Sequence, residues 1–190
     1  MVLALTGCAS MKPQDFAGNE PRLVLEEYFN GRSKAWGIFQ DRFGTLRRQF
    51  VVDIHGTWDG ETLTLVEDFV YSDGETEQRV WELTKTGPNN YTGTAAGVVG
   101  VATGETSGNA FHWTYSFDLP VDGSTWRVNF DDWMWLQDEN NLFNRATIRK
   151  WGIELGTVSI FFQRIDESAD VEGEARAAAN DLGPQSVAAQ

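Results

Sequence analysis

The stretch "NAFHWTYSFDLPVDGSTWRVNFDDWMWLQ", residues 109–137, decides the fold of this chain. It reads as two long runs joined by Asp122-Gly123. Asp-Gly accepts the positive φ angles of a tight turn, so the stretch predicts a hairpin of two antiparallel strands. In the first arm Phe111, Trp113, Tyr115 and Phe117 share one face, and His112, Thr114 and Ser116 the other. In the second arm Trp126, Val128, Phe130, Asp132, Met134 and Leu136 share one face. The opposite face runs Arg127, Asn129, Asp131, Trp133, Trp135. Three polar residues followed by two tryptophans depart from a plain alternation of apolar-in and polar-out. The departure predicts a bulge near Asp131-Asp132, or a barrel interior polar at one end and aromatic at the other.

The same grammar extends in both directions, from Ser33 to Ile165. Turn dipeptides recur at Asp59-Gly60, Asp73-Gly74, Thr86-Gly87 and Ser107-Gly108. Between them lie eight apolar-alternating runs, longer than average strands, with a ninth if the last breaks at Gly156. Consecutive long hairpins make a meander, and a sheet of that many long strands curls and closes on itself, which removes its edges. The expected fold is therefore all-β: a single antiparallel up-and-down barrel of about 8–9 strands. An open sandwich is the competing architecture, with shorter strands. One run, "NYTGTAAGVVGVATG", holds Gly93, Gly97, Gly100 and Gly104, which permit sharp coiling or leave room for a ligand.

Composition narrows the function. The 190 residues suit one domain with tails. A formal net charge of -13 is wrong for neutralising phosphates, so nucleic-acid binding is set aside. No 18 apolar residues run together, so no transmembrane helix is expected. One cysteine and two histidines, His55 and His112, leave no disulfide, no CxxC and no His-rich metal site. GxxxxGK[ST], GxSxG and HExxH do not occur, and no cofactor or metal is expected.

The flanks carry the expected location. Leu5-Thr6-Gly7-Cys8 is similar to the bacterial lipobox, an aliphatic residue, a small residue, Gly or Ala, then the cysteine that is acylated. Residues 1–7 are too few and lack a basic residue, so they read as the remnant of a longer signal peptide. Ala9 rather than Asp after Cys8 implies, for a Gram-negative lipoprotein, the outer membrane, with the barrel facing the periplasm. Residues 8–22 read as a flexible lipidated tether, 23–165 as the barrel domain, and 166–190 as a disordered acidic tail with nascent helix at Glu172–Ala179. "RLVLEEYFNG" reads equally as a helical turn or a first strand.

The mixed faces suggest a ligand cavity. Trp113, Trp133 and Trp135 would contact an acyl chain or ring, Arg127, Arg145 or Lys150 an anionic head group, with Asp131 and Asp132 beside them. The plainer alternative is that polar faces meet water and aromatic faces fill the barrel. Asp131 and Asp132 are adjacent in a strand, point to opposite faces, and cannot form an acid–base pair. Three functions stay open: a carrier of a hydrophobic small molecule; an isomerase or hydratase using Asp131, Asp132, Arg145 or His112 for proton transfer; and a filled barrel serving as an envelope interaction surface.

"FNGRSKAWGIFQDRFG", "GTWDG", "EDFVYSDG", "GNAFHWTY", "DDWMW" and "LFNRATIRKWG", spread over residues 28–163, resemble a family of small proteobacterial lipoproteins catalogued as a domain of unknown function. The resemblance implies a lipocalin-like barrel. Family members are encoded near lipid-modifying enzymes such as cyclopropane-type fatty-acid methyltransferases, which implies a lipid or fatty-acyl ligand. It brings no catalytic residues, and the acidic tail and short leader depart from it.

Overall fold

A computed structural model describes residues 10–165 except 122. Cys8 with its leader and residues 166–190 therefore lie outside the described residues, and the readings placed on them have no structural counterpart here.

Ten strands follow in order: β1 (Gly31–Asp41), β2 (Leu46–Trp58), β3 (Thr62–Tyr71), β4 (Thr76–Lys85), β5 (Asn90–Ala95), β6 (Val98–Ser107), β7 (Ala110–Val121), β8 (Ser124–Leu136), β9 (Asn141–Lys150) and β10 (Ile153–Arg164). Each pairs antiparallel with its neighbour in sequence, and β10 pairs back onto β1 from Ser33↔Arg164 to Asp41↔Gly156. The all-β up-and-down barrel is thus closed. The Asp-Gly turns do their expected work: Gly60, Gly74 and Gly123 take φ of 103°, 88° and 75°.

Two of the eight runs each make two strands. The glycine-rich run turns at Ala96-Gly97, where Gly97 takes φ 87°. The last run breaks at Trp151-Gly152, not at Gly156. Gly156 instead sits at a register shift between β9 and β10, where a Cβ would overlap the Gln40 carbonyl and the Phe39 ring. The strand count therefore rises to ten within the same class.

The expected bulge at Asp131-Asp132 is absent. β8 keeps unbroken register with β7 and β9, so its even face points inward throughout and its odd face outward. Trp133 and Trp135 are outward residues given local cover by the chain's own N-terminal segment. Residues 13–16 form a 3-10 turn that lays Phe16 against Trp133 and Trp135, at centroid distances of 5.8 and 6.3 Å. Gln14 bonds Glu105, Arg22 bonds Asn89, and the Leu23 amide donates to the Gly108 carbonyl. The described part of the expected tether is therefore docked along the barrel wall, because two outward tryptophans give it an apolar seat. Phe16→Ala should lower stability by about 1–2 kcal/mol and red-shift tryptophan emission as Trp133 and Trp135 meet water, which thermal melts followed by fluorescence would read.

The ambiguous "RLVLEEYFNG" yields a single helical turn, α1 (Leu25–Tyr28). Leu23, Leu25, Tyr28 and Phe29 are almost wholly buried. They close one end of the barrel, where Gly56 lets the Phe29 carbonyl approach: a Cβ there would overlap it. The Tyr28 hydroxyl donates to the Asn140 carbonyl, and Glu26 receives Lys85 and the Tyr91 hydroxyl, which pins the plug to three strand ends. Burial works against the Glu26 carboxylate, yet Lys85 and Tyr91 hold its pKa below the ordinary value.

Candidate functional site

Period-two alternation sends one face of every strand inward, and these faces leave a cavity of about 310 Å³. Its floor is α1, through Leu25 and Phe29, joined by Leu65, Leu83, Phe111 and Phe162. Phe39, Tyr71, Leu119, Ile148 and Val158 line the opposite, unplugged end. Trp81, Trp113 and Tyr115 form one wall, Trp81 meeting the other two edge-to-face at 5.9 and 5.4 Å. Gly93 and Gly104 give Trp113 its place. A Cβ at Gly93 would lie 3.0 Å from the indole, and one at Gly104 would overlap it. These two glycines therefore make room for an aromatic wall.

Across this apolar chamber runs a polar band. Glu67 (β3) stands opposite Arg79 (β4) in register, and Asp132 (β8) accepts a hydrogen bond from the Asn144 amide (β9). All four line the cavity. Burial, reinforced by Asp131, pushes the Asp132 carboxyl up to about 7 against the pull of Asn144. Burial likewise raises Glu67 to about 7; Arg79 opposes this, while Glu77 and Asp132 reinforce it. Tyr115, stacked on Phe130 at 4.7 Å, is driven well above its ordinary value by burial and by Asp132. Burial works most against the Arg79 charge, but Glu67 and Glu77 together hold its pKa above the usual guanidinium value. Nearer the unplugged end, Arg48 lies over the Tyr71 ring at 3.5 Å and pairs with Asp73 and Glu75. The Nε atoms of Arg48 and Arg79 are buried and have no hydrogen-bond partner. An unmet buried donor is costly, so these two atoms mark where a ligand acceptor would be welcome.

Of the eight residues singled out in the sequence, the cavity lining takes in Trp113 and Asp132. Five of the others point outward, and Lys150, on the inward parity of β9, sits at the rim beyond Ile148. Arg127 forms an ion pair with Asp118 at 2.8 Å. Asp131 receives His112 at 2.8 Å and Arg149 at 3.1 Å, and the His112 ring stacks on Trp133 at 4.2 Å. Burial alone would raise Asp131, but these partners lower its pKa below the ordinary value. Trp133 and Trp135 stack on each other beneath Phe16. Arg145 is exposed, and Lys150 lies over Trp126 at the unplugged end. Asp131 and Asp132 do face opposite sides of the sheet.

Sequence reading missed Glu67, Arg79, Arg48 and Asn144. A signal for the first two exists: each interrupts an otherwise apolar inward face, Leu63, Leu65, Phe69 and Tyr71 around Glu67, and Trp81 and Leu83 beside Arg79.

Among solved structures the chain is similar to the S-type phycobiliprotein lyase CPES from Guillardia theta. That match has a TM-score of 0.55 at 12% identity, over 77% of this chain and 95% of that one. Rv2717c from M. tuberculosis aligns with a TM-score of 0.55 at 13% identity, over 73% of this chain and 93% of that one. At such identities the likeness is one of fold, and the shared fold is a lipocalin-like barrel. The family model for proteins of unknown function DUF3833 matches residues 2–164, nearly the whole described chain. The chain belongs to the DUF3833 family of proteins of unknown function.

Proposed function

We propose that the barrel binds and carries a hydrophobic small molecule with one polar group, a lipid or fatty-acyl compound, and that Cys8 anchors the chain in the outer membrane with the barrel in the periplasm. The observation that carries the reading is the chamber itself: apolar and aromatic over most of its lining, plugged at one end, and crossed by a polar band, with the Nε donors of Arg79 in that band and of Arg48 nearer the open end left unpartnered. Apolar lining rewards a chain or ring, and the two guanidinium groups orient a carboxylate or similar acceptor. The lipobox-like stretch and the sole cysteine support the anchor.

Native mass spectrometry of protein purified from its own envelope, with titration of a dansyl-labelled fatty acid, tests the carrier. Wild type should hold a small molecule and bind the probe. Ala146→Trp, which fills the chamber, should weaken binding at least about tenfold, with Met134→Trp as the second filling variant. A chain that repeatedly carries nothing and ignores the probe overturns the reading. For the anchor, metabolic labelling with palmitate should mark the wild-type chain and not Cys8→Ser; an unlabelled wild type removes it.

One observation favours a second reading, an isomerase or hydratase acting on that ligand. Asp132 and Glu67 titrate near 7 inside the chamber, poised for proton transfer. Deuterium from heavy water should then enter the bound lipid in wild type and not in Asp132→Asn or Glu67→Gln. Equal labelling in all three sinks the enzyme reading and leaves the carrier.

A further inference from the structure

Around the unplugged end, two hairpin tips stand side by side. The β1–β2 tip is tied to β10 by the Arg42 amide, which donates to the Leu155 carbonyl, and β10 leads directly back to the β9–β10 tip. These tips and the adjoining strand ends expose large apolar side chains. Phe43 is 78% exposed and Trp151 86%, and Leu46, Ile153 and Trp126 are also exposed. Scattered exposed apolar residues are ordinary, but a cluster on one rim is not. Trp151 is also out of place conformationally. It takes φ 53°, beside Gly152 at 80°, and is the sole non-glycine residue at positive φ among the described residues. A turn of that shape favours Asn-Gly. A bulky aromatic there costs backbone strain and gains no core contact, so the fold does not account for it.

The nearby cations complete the pattern. Arg42 lies over the Phe43 ring at 4.8 Å, and Lys150 lies over Trp126 and Trp151 at 3.8 and 4.7 Å. Among the described residues neither forms an ion pair with a carboxylate, whereas Arg47 and Arg149 beside them do. Aromatic tips carrying unpaired cations suit the zone of a bilayer where rings sit at headgroup depth and ammonium or guanidinium groups meet phosphates. The chain as a whole is acidic, so this rim approaches such a surface more readily than the rest of the molecule does.

We infer that the rim formed by Phe43, Trp151 and Ile153, with Arg42 and Lys150, docks the open end of the barrel on a phospholipid bilayer and lets the ligand pass between bilayer and chamber. The rim's geometry stands alone, but its purpose rests on the carrier reading. A second apolar surface competes for attention. Phe143, Phe161, Trp36, Val51 and Val70 face outward in one cross-strand row over β9, β10, β1, β2 and β3. That row carries no comparable cation pattern, and it serves as the control.

The test is flotation of the full chain as Cys8→Ser, so that no acyl chain contributes, with phosphatidylcholine vesicles with and without phosphatidylglycerol. The unlipidated chain should float, more so with the anionic lipid. Adding Phe43→Ser and Trp151→Ser should cut partitioning at least about tenfold, while Trp36→Ser in the lateral row leaves it unchanged. The rim variant should still bind the dansyl fatty acid in solution, which shows it folded, because neither residue lines the chamber. Three results overturn the inference: no flotation of the unlipidated chain, equal flotation of the rim variant, or loss only with Trp36→Ser. Concentration-dependent self-association abolished by the rim variant, without flotation, assigns the rim to a second copy and overturns it too. Loss of fatty-acid binding in wild type with flotation intact strikes the carrier reading and leaves the docking rim standing.

Discussion

Gly56→Val is expected to unseat α1 and cost at least about 3 kcal/mol, close to the limit a single substitution inflicts on a folded domain. Gly56 faces inward on β2, between Gly31 and Leu65. A Cβ there would overlap the Phe29 carbonyl oxygen and crowd the Leu65 side chain. The obstacle is backbone, which no rotamer change relieves. The chain can only shift the plug, and the plug holds Leu23, Leu25, Tyr28 and Phe29 out of water. Thermal denaturation should show a loss of many degrees, and hydrogen exchange should show the amides around residue 29 opening before the sheet. A variant as stable as wild type would mean that the plug has slack the structure does not show.

The second large effect is a pH dependence set by the buried carboxyls. Asp132 and Glu67 ionise near 7 in the folded chain, against about 4 in an unfolded one. Between those values the folded chain holds more protons than the unfolded chain. Stability from this pair is therefore full below about pH 4, falls as pH rises, and levels off above about 7. Outward carboxyls such as Asp59 and Asp138, held low by backbone and asparagine donors, slope the opposite way at the acid end. Comparison with a variant isolates the buried pair. Asp132→Asn keeps an acceptor for the Asn144 amide and removes the charge. It should flatten the curve between about pH 5 and 8, and exceed wild type above 7 by on the order of 1–3 kcal/mol. Denaturant titrations at both ends of that window measure the difference, and parallel curves would contradict it.

Where the sequence marks a feature locally, the structure follows it. Asp-Gly and Ser-Gly turns need a specific backbone, so Asp59-Gly60, Asp73-Gly74, Asp122-Gly123 and Ser107-Gly108 place hairpins without tertiary help. Two turns hidden inside single apolar runs lacked such marks. Ala96-Gly97 has no polar turn residue, and Trp151-Gly152 puts an aromatic where a small polar residue is usual. The candidate site was half legible. Asp132 on the Val128–Leu136 face and Trp113 on the Phe111–Phe117 face point into the chamber by alternation alone. The odd face of β8 misled because its tryptophans are explained by Phe16, more than a hundred residues away, and no local pattern encodes so distant a contact. Glu67 and Arg79 become a pair only through the β3–β4 register.

The closure of the ring has a kinetic consequence. Nine of the ten strand pairings join neighbours in sequence and zip from local turns. The tenth brings Ser33 to Arg164, about 130 residues apart. Closing that span costs roughly 3 kcal/mol more chain entropy than closing a hairpin, and it rewards the chain only once the intervening strands are in place. The β1–β10 seam is therefore the last to form and the first whose loss leaves two naked edges. A chain interrupted before β10 would present both edges to its neighbours, and aggregation would begin there.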